Sequence, residues 1–216
     1  MLQLHYHPSD ASLMPHIFLE ELGVPFELKL VDRANNAQKS PQYLKLNPNG
    51  LIPVLVDGDL VLYETPAILM HLADTHPQAA LLPPLGTPER AHCYKWMVWL
   101  SNSLQAQLVL YFYAERYVDV ATMPDFRARV EVRISALLHQ LEAQLVSADG
   151  PWLLGTNYSA ADCMAFVLCC WTRNLQRPAN SLPALGAYLA RMRQRAAVQR
   201  AVATENLPET FFTRAA

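Results

Sequence analysis

Residues 38 to 74 read QKSPQYLKLNPNGLIPVLVDGDLVLYETPAILMHLAD. Ser40-Pro41 is a helix-start signal: serine is a good cap, and proline suits the first helical position, where its missing N–H is not needed. The spacing predicts a short helix through Leu46, broken by the turn cluster Asn47-Pro48-Asn49-Gly50. Ile52 to Val56 and Leu60 to Tyr63 are apolar, strand-forming runs on either side of Asp57-Gly58, a hairpin signal that favours a type I′ turn. Ala67, Ile68, His71 and Leu72 then recur at helical spacing.

Toward the N-terminus, Leu2 to His7 has strand character and ends at Pro8. Ile17, Leu19 and Leu22 mark a helical stretch that stops at Gly23, and Phe26 to Val31 (FELKLV) alternates as a half-buried strand. The expected order of this half is β-α-β-α-β-β-α. Residues 76 to 87 are proline-rich and read as a linker. Beyond them the strand signals fade. Thr87-Pro88 opens a helical region to about Tyr117, and a second follows Met123-Pro124 to about Val146. Ser159 to Asp162 has the form of a capping box. Behind it Met164, Val167, Leu168 and Trp171 follow a buried helical face, and two shorter helices fit 183 to 204. The expected division is an α/β domain over 1–75 and an all-helical bundle over 88–216.

The composition bounds the function. The chain has 216 residues, 52% of them hydrophobic and 17% charged, with a net charge of −2. It has no basic field to hold a phosphate backbone, which argues against a nucleic-acid partner. Its longest strongly apolar run, Cys163 to Trp171, is far short of a membrane span, and no membrane association is expected. The start lacks the pattern of a signal peptide. Cys93, Cys163, Cys169 and Cys170 form no C-x-x-C pair and fit reduced thiols, so a cytoplasmic location is the expectation. Asn157-Tyr158-Ser159 matches a glycosylation sequon, read as chance without a secretory signal. His5 and His7 share a strand face, but no third ligand stands at suitable spacing, and no metal is expected.

The stretch from Gln38 to Asp74 closely resembles the glutathione-binding half of cytosolic glutathione transferases. There a polar pair precedes a short helix, followed by N-P-x-G-x-[IV]-P, a hairpin and E-[ST]-x-A-I. The opening HYHPSDASLMPHIFLEELGVPFEL is similar to bacterial, beta-class-like members, and Ser159-Ala160-Ala161-Asp162 matches the S-x-A-D box of the second domain. The resemblance implies a thioredoxin-like first domain, glutathione as co-substrate, and a symmetric dimer in which the first domain of one subunit faces the second of its partner. It implies a cis bond at Ile52-Pro53, where the backbone of Ile52 meets the cysteinyl part of glutathione. Glu64 and Thr65 would hold the γ-glutamyl end, and Gln38 and Lys39 the glycyl carboxylate.

The departures concern catalysis. Family members raise the fraction of glutathione thiolate with a Ser or Tyr hydroxyl near the start of the first helix, or in beta-class members place a Cys there. On alignment that Cys position falls on Ala11, so mixed-disulfide chemistry with a protein thiol is not expected. Ser12 is the first candidate hydroxyl, Tyr6 the main rival and Ser9 a third; Asp10 is disfavoured, because a carboxylate beside a thiolate raises its pKa. The His-Lys pair of beta-class members is replaced by Ser103-Leu104-Gln105-Ala106-Gln107. Trp99, Tyr111 and Tyr113, with Phe112, are candidate walls for a small hydrophobic electrophile. The S-S-C-x-W-R opening of maleylacetoacetate isomerases is absent. The leading expectation is a transferase that directs glutathione thiolate onto an electrophile, by conjugation or peroxide reduction. The alternative is a glutathione- or ligand-binding protein of the same fold with little turnover.

Overall fold

A computed structural model describes residues 1–213. Its contacts divide the chain into two units: Met1–Leu82 with Gln194–Pro208, and Pro83–Arg193 with the residues from Glu209 onward.

In the first unit the strands are β1 (Leu2–Tyr6), β2 (Phe26–Leu30), β3 (Val54–Asp57) and β4 (Leu60–Tyr63), and the helices α1 (Leu13–Leu22), α2 (Pro41–Leu44) and α3 (Thr65–Thr75). The sheet order is β2-β1-β3-β4, with β1 and β2 parallel and the other pairs antiparallel. This mixed sheet with flanking helices is the expected thioredoxin-like arrangement. Leu4, Val54 and Leu55 of the sheet are fully buried, as are Leu13, Met14, Ile17 and Phe18 of α1 and Ile68, Leu69 and Leu72 of α3. Val31, Tyr43 and Val54 form a second cluster with Leu46, Ile52 and Tyr63 packed against it. The α1 helix stops where expected, on Gly23 in the left-handed region at φ 65°.

Two local expectations are corrected. The β3–β4 turn is centred on Gly58-Asp59, and only Gly58 has positive φ, the pattern of type II′ rather than type I′. The helix after Ser40 ends at Leu44; Ser40 does cap it, accepting from the Tyr43 N–H at 3.2 Å.

The second unit is helical: α4 (Pro88–Trp99), α5 (Ala106–Phe112), α6 (Met123–Ser147), α7 (Ala160–Trp171) and α8 (Pro183–Arg193). Between α4 and α5 the helix continues as a π-helical turn, Leu100–Gln105. Helix α7 is buried from Ala160 to Cys170 and, apart from Asp162 in its first turn, is made of apolar residues and cysteines, as suits a central helix. The helix α6 turns Val130, Ile134, Leu138 and Leu141 inward. The capping box is present: Asp162 accepts from the Ser159 N–H at 2.8 Å and from its hydroxyl at 3.0 Å. The buried Asp162 also accepts from the Leu153 N–H at 3.0 Å and the Tyr188 hydroxyl at 3.1 Å.

The expected run of helical domain over 88–216 is interrupted. Residues 194–208, which carry α9 (Ala196–Thr204), pack with the first unit. Arg195 grips Glu21 of α1 through two bonds of 2.5 and 2.9 Å, and Arg200 pairs with Glu20 at 2.5 Å. Amphipathic α9 is a helix by its own sequence, but the unit that receives it is set by partners some 180 residues earlier, through these ion pairs and the burial of Ala197, Val198 and Ala201.

Candidate active site

The ladder register assembles the site. Val54 of β3 pairs with His5 of β1 on one side and with Tyr63 of β4 on the other. One residue further, Tyr6 leaves the β1–β3 ladder while still paired with Leu30 of β2, and Pro53 and Glu64 flank β3 and β4 at the same end of the sheet. Both α1 and α3 begin at that end, directing their unpaired N–H groups toward it.

At the α1 side the loop His7–Ser12 is tightly held. Ser12 Oγ donates to the His7 carbonyl and accepts from the His7 N–H, both at 3.1 Å, and Ser12 is buried. The hydroxyl expected to donate to a thiol is therefore engaged within its own loop. Nor does it cap α1: Ser12 is already helical (φ −62°, ψ −20°), which turns its side chain back toward His7. Asp10 accepts from Arg33 Nη1 with both carboxylate oxygens at 2.7 Å. Burial pushes the Asp10 carboxyl upward and the guanidinium opposes this. Among the loop and turn hydrogen bonds, none uses the N–H of Ala11 or Ser12. Tyr6 lies edge-on to the His16 ring with centroids 6.3 Å apart. Burial, with a smaller effect of the Glu205 carboxylate, raises its phenol above the ordinary value, so it stays a protonated donor.

On the β3–α3 side, Ile52-Pro53 is cis. Neither the N–H nor the C=O of Ile52 is used by loop and turn hydrogen bonds among the described residues. Glu64 is exposed and sits at φ 74°, ψ 112°, where a residue with a side chain is strained; such strain concentrates at functional positions. Ile68 N–H closes the first turn on the Glu64 carbonyl at 3.0 Å, which leaves the N–H groups of Thr65 and Ala67 open, since Pro66 has none.

Gln38 and Lys39 follow β2 in a 3₁₀ turn. Gln38 Oε1 is buried with no hydrogen-bond partner, an acceptor that water or a ligand must satisfy. Lys39 Nζ donates to the Asn49 carbonyl at 3.0 Å and lies over Gly50; a Cβ there would come within 2.8 Å of the Gln38 carbonyl. Gly50, at φ 59°, is thus required both by its conformation and by this close approach.

In the second unit Trp99 stacks edge-on against Trp96 at 5.1 Å and Tyr111 against Phe112 at 5.5 Å, while Arg116 lies over the Tyr113 ring at 4.0 Å. All three candidate wall residues are half-buried. His5 packs edge-on to Tyr43, and His7 Nδ1 contacts the Val31 carbonyl at 3.1 Å. The four cysteines are buried, and burial raises the thiol pKa of Cys93 to about 11 and of Cys169 to about 12. Among the described residues no group of three or more His, Cys, Asp or Glu is placed to share a metal ion, and no helix is long and apolar enough to cross a membrane.

Sequence reasoning missed Arg33 and Glu205, which hold the β1–α1 loop from distant segments; no spacing in the chain signals either.

Known proteins resemble this chain in sequence and in fold. Residues 2–74 match the glutathione S-transferase N-terminal domain and residues 107–205 the C-terminal domain. The glutathione S-transferase GST-4.5 of Xanthomonas campestris pv. campestris is 31% identical over 95% of this chain and 100% of its own. The disulfide-bond oxidoreductase YfcG of Escherichia coli is 32% identical over 94% of each chain. The crystal structure of a glutathione transferase homolog from Sulfitobacter with bound glutathione superposes with a TM-score of 0.86 at 28% identity, covering 96% of this chain and 99% of that one. By sequence over nearly its whole length, and by fold, this chain belongs to the glutathione S-transferase family.

Proposed function

We propose that the protein binds glutathione at the sheet end where Tyr6, Ile52-Pro53 and Glu64-Thr65 meet, and directs its thiolate onto a small apolar electrophile. The observation that carries the reading is that convergence, fixed by two strand registers. Ile52 offers its backbone to the cysteinyl part of glutathione. Glu64 accepts from the α-ammonium, and the Thr65 hydroxyl with the open N–H groups of α3 meets the α-carboxylate. Gln38 and Lys39 receive the glycyl end.

A free thiol with pKa near 8.5 is only a few per cent ionised at pH 7. The donors open to a thiolate are the Tyr6 hydroxyl and the N–H groups of Ala11 and Ser12 at the start of α1. Ser12, the first expectation for the donor, serves instead by holding the loop that presents them. Trp99, Tyr111 and Tyr113 contact the electrophile. The protein works as a cytoplasmic homodimer, and conjugation of reactive apolar compounds makes its role detoxification.

A second reading is favoured by one observation: the Ser12 hydroxyl is committed to His7. A site with so few free donors suits a weakly catalytic glutathione- or ligand-binding protein. Calorimetric titration with glutathione, paired with turnover of electrophiles, peroxides and disulfides, separates the two. Binding with turnover supports the transferase, and binding alone supports the second reading. No binding defeats the transferase and the glutathione-binding form of the second reading, and light scattering of the same sample tests the dimer.

A further inference from the structure

The β1–α1 loop is held from a place its sequence does not foreshadow. Glu205 follows α9, in the segment that returns to the first unit, and its side chain is fully buried. Its Oε2 accepts from the Ser9 N–H at 2.9 Å, and its Oε1 lies 2.8 Å from His16 Nδ1. Ser9 sits at φ 66°, in the left-handed region that a residue with a side chain rarely enters. Ser9 leads through Asp10 into Ala11 and Ser12, whose backbone N–H groups are the open donors.

A buried carboxylate is a costly tether, tolerated only when its oxygens are satisfied by donors in fixed positions. Here both oxygens are used, one on the strained loop and one on α1. With Nδ1–H donating to Glu205, His16 leaves its buried Nε2 without a partner among the described residues. The imidazole thus acts as a fixed strut between the carboxylate and the Tyr6 ring, which it meets edge-on. One carboxylate therefore sets both the left-handed turn at Ser9 and the ring that backs Tyr6.

We propose that Glu205 is a positioning residue of the glutathione site, anchoring the Ser9–Ser12 turn in the conformation that presents its N–H groups to the thiolate. This rests on the glutathione reading above. Glu205→Gln keeps the size of the side chain but offers only one acceptor oxygen in place of two. The expected result is faster amide hydrogen exchange confined to residues 8–13, a glutathione KM changed by less than about threefold, and a bound-thiol pKa raised by about one unit. That rise is about a tenfold loss of thiolate where the pH lies well below the thiol pKa, and a smaller loss where it lies near or above it. The sign discriminates: deletion of a nearby negative charge without movement of the loop would lower the thiol pKa.

The thiolate absorbance of bound glutathione, titrated in wild type and variant, reads that pKa. Adding Ser9→Gly, which takes a left-handed φ without steric cost, restores part of the lost protection and turnover if the tether acts through the loop. A variant that loses thermal stability with unchanged loop exchange and thiol pKa, or one whose thiol pKa falls, overturns the proposal. Wild-type protein that binds no glutathione removes the reading beneath it, a result seen before any variant is compared.

Discussion

At the scale of single residues, two hydroxyls near the start of α1 have opposite fates according to what surrounds them. Ser12 closes a ring on the His7 backbone, whereas the Tyr6 hydroxyl at the strand end is partnered by no hydrogen bond among the described residues. Ser12→Ala leaves the half-buried His7 N–H without its partner, at a cost of about 1 kcal/mol, while the His7 carbonyl keeps the Asp10 N–H at 3.2 Å. It is expected to lower the melting temperature by a few degrees and, by loosening the loop that presents the Ala11 and Ser12 N–H groups, to lower kcat/KM about threefold, less than removal of a direct donor does. Tyr6→Phe is expected to leave stability nearly unchanged and to lower kcat/KM about tenfold, the loss of one hydrogen bond to a charged group. Steady-state kinetics and thermal melts of the two variants check the assignment; turnover untouched by Tyr6→Phe, or abolished by Ser12→Ala in folded protein, reverses it.

At the scale of the element, the start of α7 shows how one side chain secures a central helix. Asp162 receives four hydrogen bonds, yet burial outweighs them and pushes its carboxyl up from 3.8 to about 6. The folded state therefore holds a proton on Asp162 between pH 4 and about 6 that the unfolded chain has released. Its contribution to stability is full below the unfolded value and is lost as pH rises through about 6. Denaturant melts of wild type and Asp162→Asn at pH 7.5 and 5.0 measure this. The stability advantage of wild type is expected to be larger at pH 5.0; a larger advantage at pH 7.5 shows instead that the four donors hold the carboxylate as an anion. The box was legible as Ser159 followed three residues later by Asp162, because capping is a local contract between residues on one turn. The hairpin was legible for the same reason, while its turn type was not: Asp57 was recruited into β3, moving the turn one residue along.

At the scale of the whole molecule, the chain crosses back into its first unit, and α9 is clamped onto α1 by Arg195 and Glu21. The pair is bidentate and partly shielded, so its coupling is expected to be about 1 kcal/mol, above the usual value for an exposed pair. A double-mutant cycle with Arg195→Ala and Glu21→Ala checks it; coupling near zero makes apolar packing alone the clamp.

What the sequence determined by itself was everything carried by neighbours along the chain. The alternating and helical periods, the turn cluster at Asn47–Gly50 and the caps at Ser40 and Ser159 sufficed for the order of elements and the fold class, and the resemblance of the stretch from Gln38 to Asp74 to known members pointed to the family. What only the tertiary structure decided was every pairing between distant residues. The registers of β1, β3 and β4 bring Tyr6, Pro53 and Glu64 to one end of the sheet. The commitment of Ser12 to His7, the grip of Arg33 on Asp10, and the reach of Glu205 to Ser9 depend on which groups the fold brings within hydrogen-bond distance. Periodicity cannot report such contacts, because it records which face a residue occupies and not what the rest of the chain places against it.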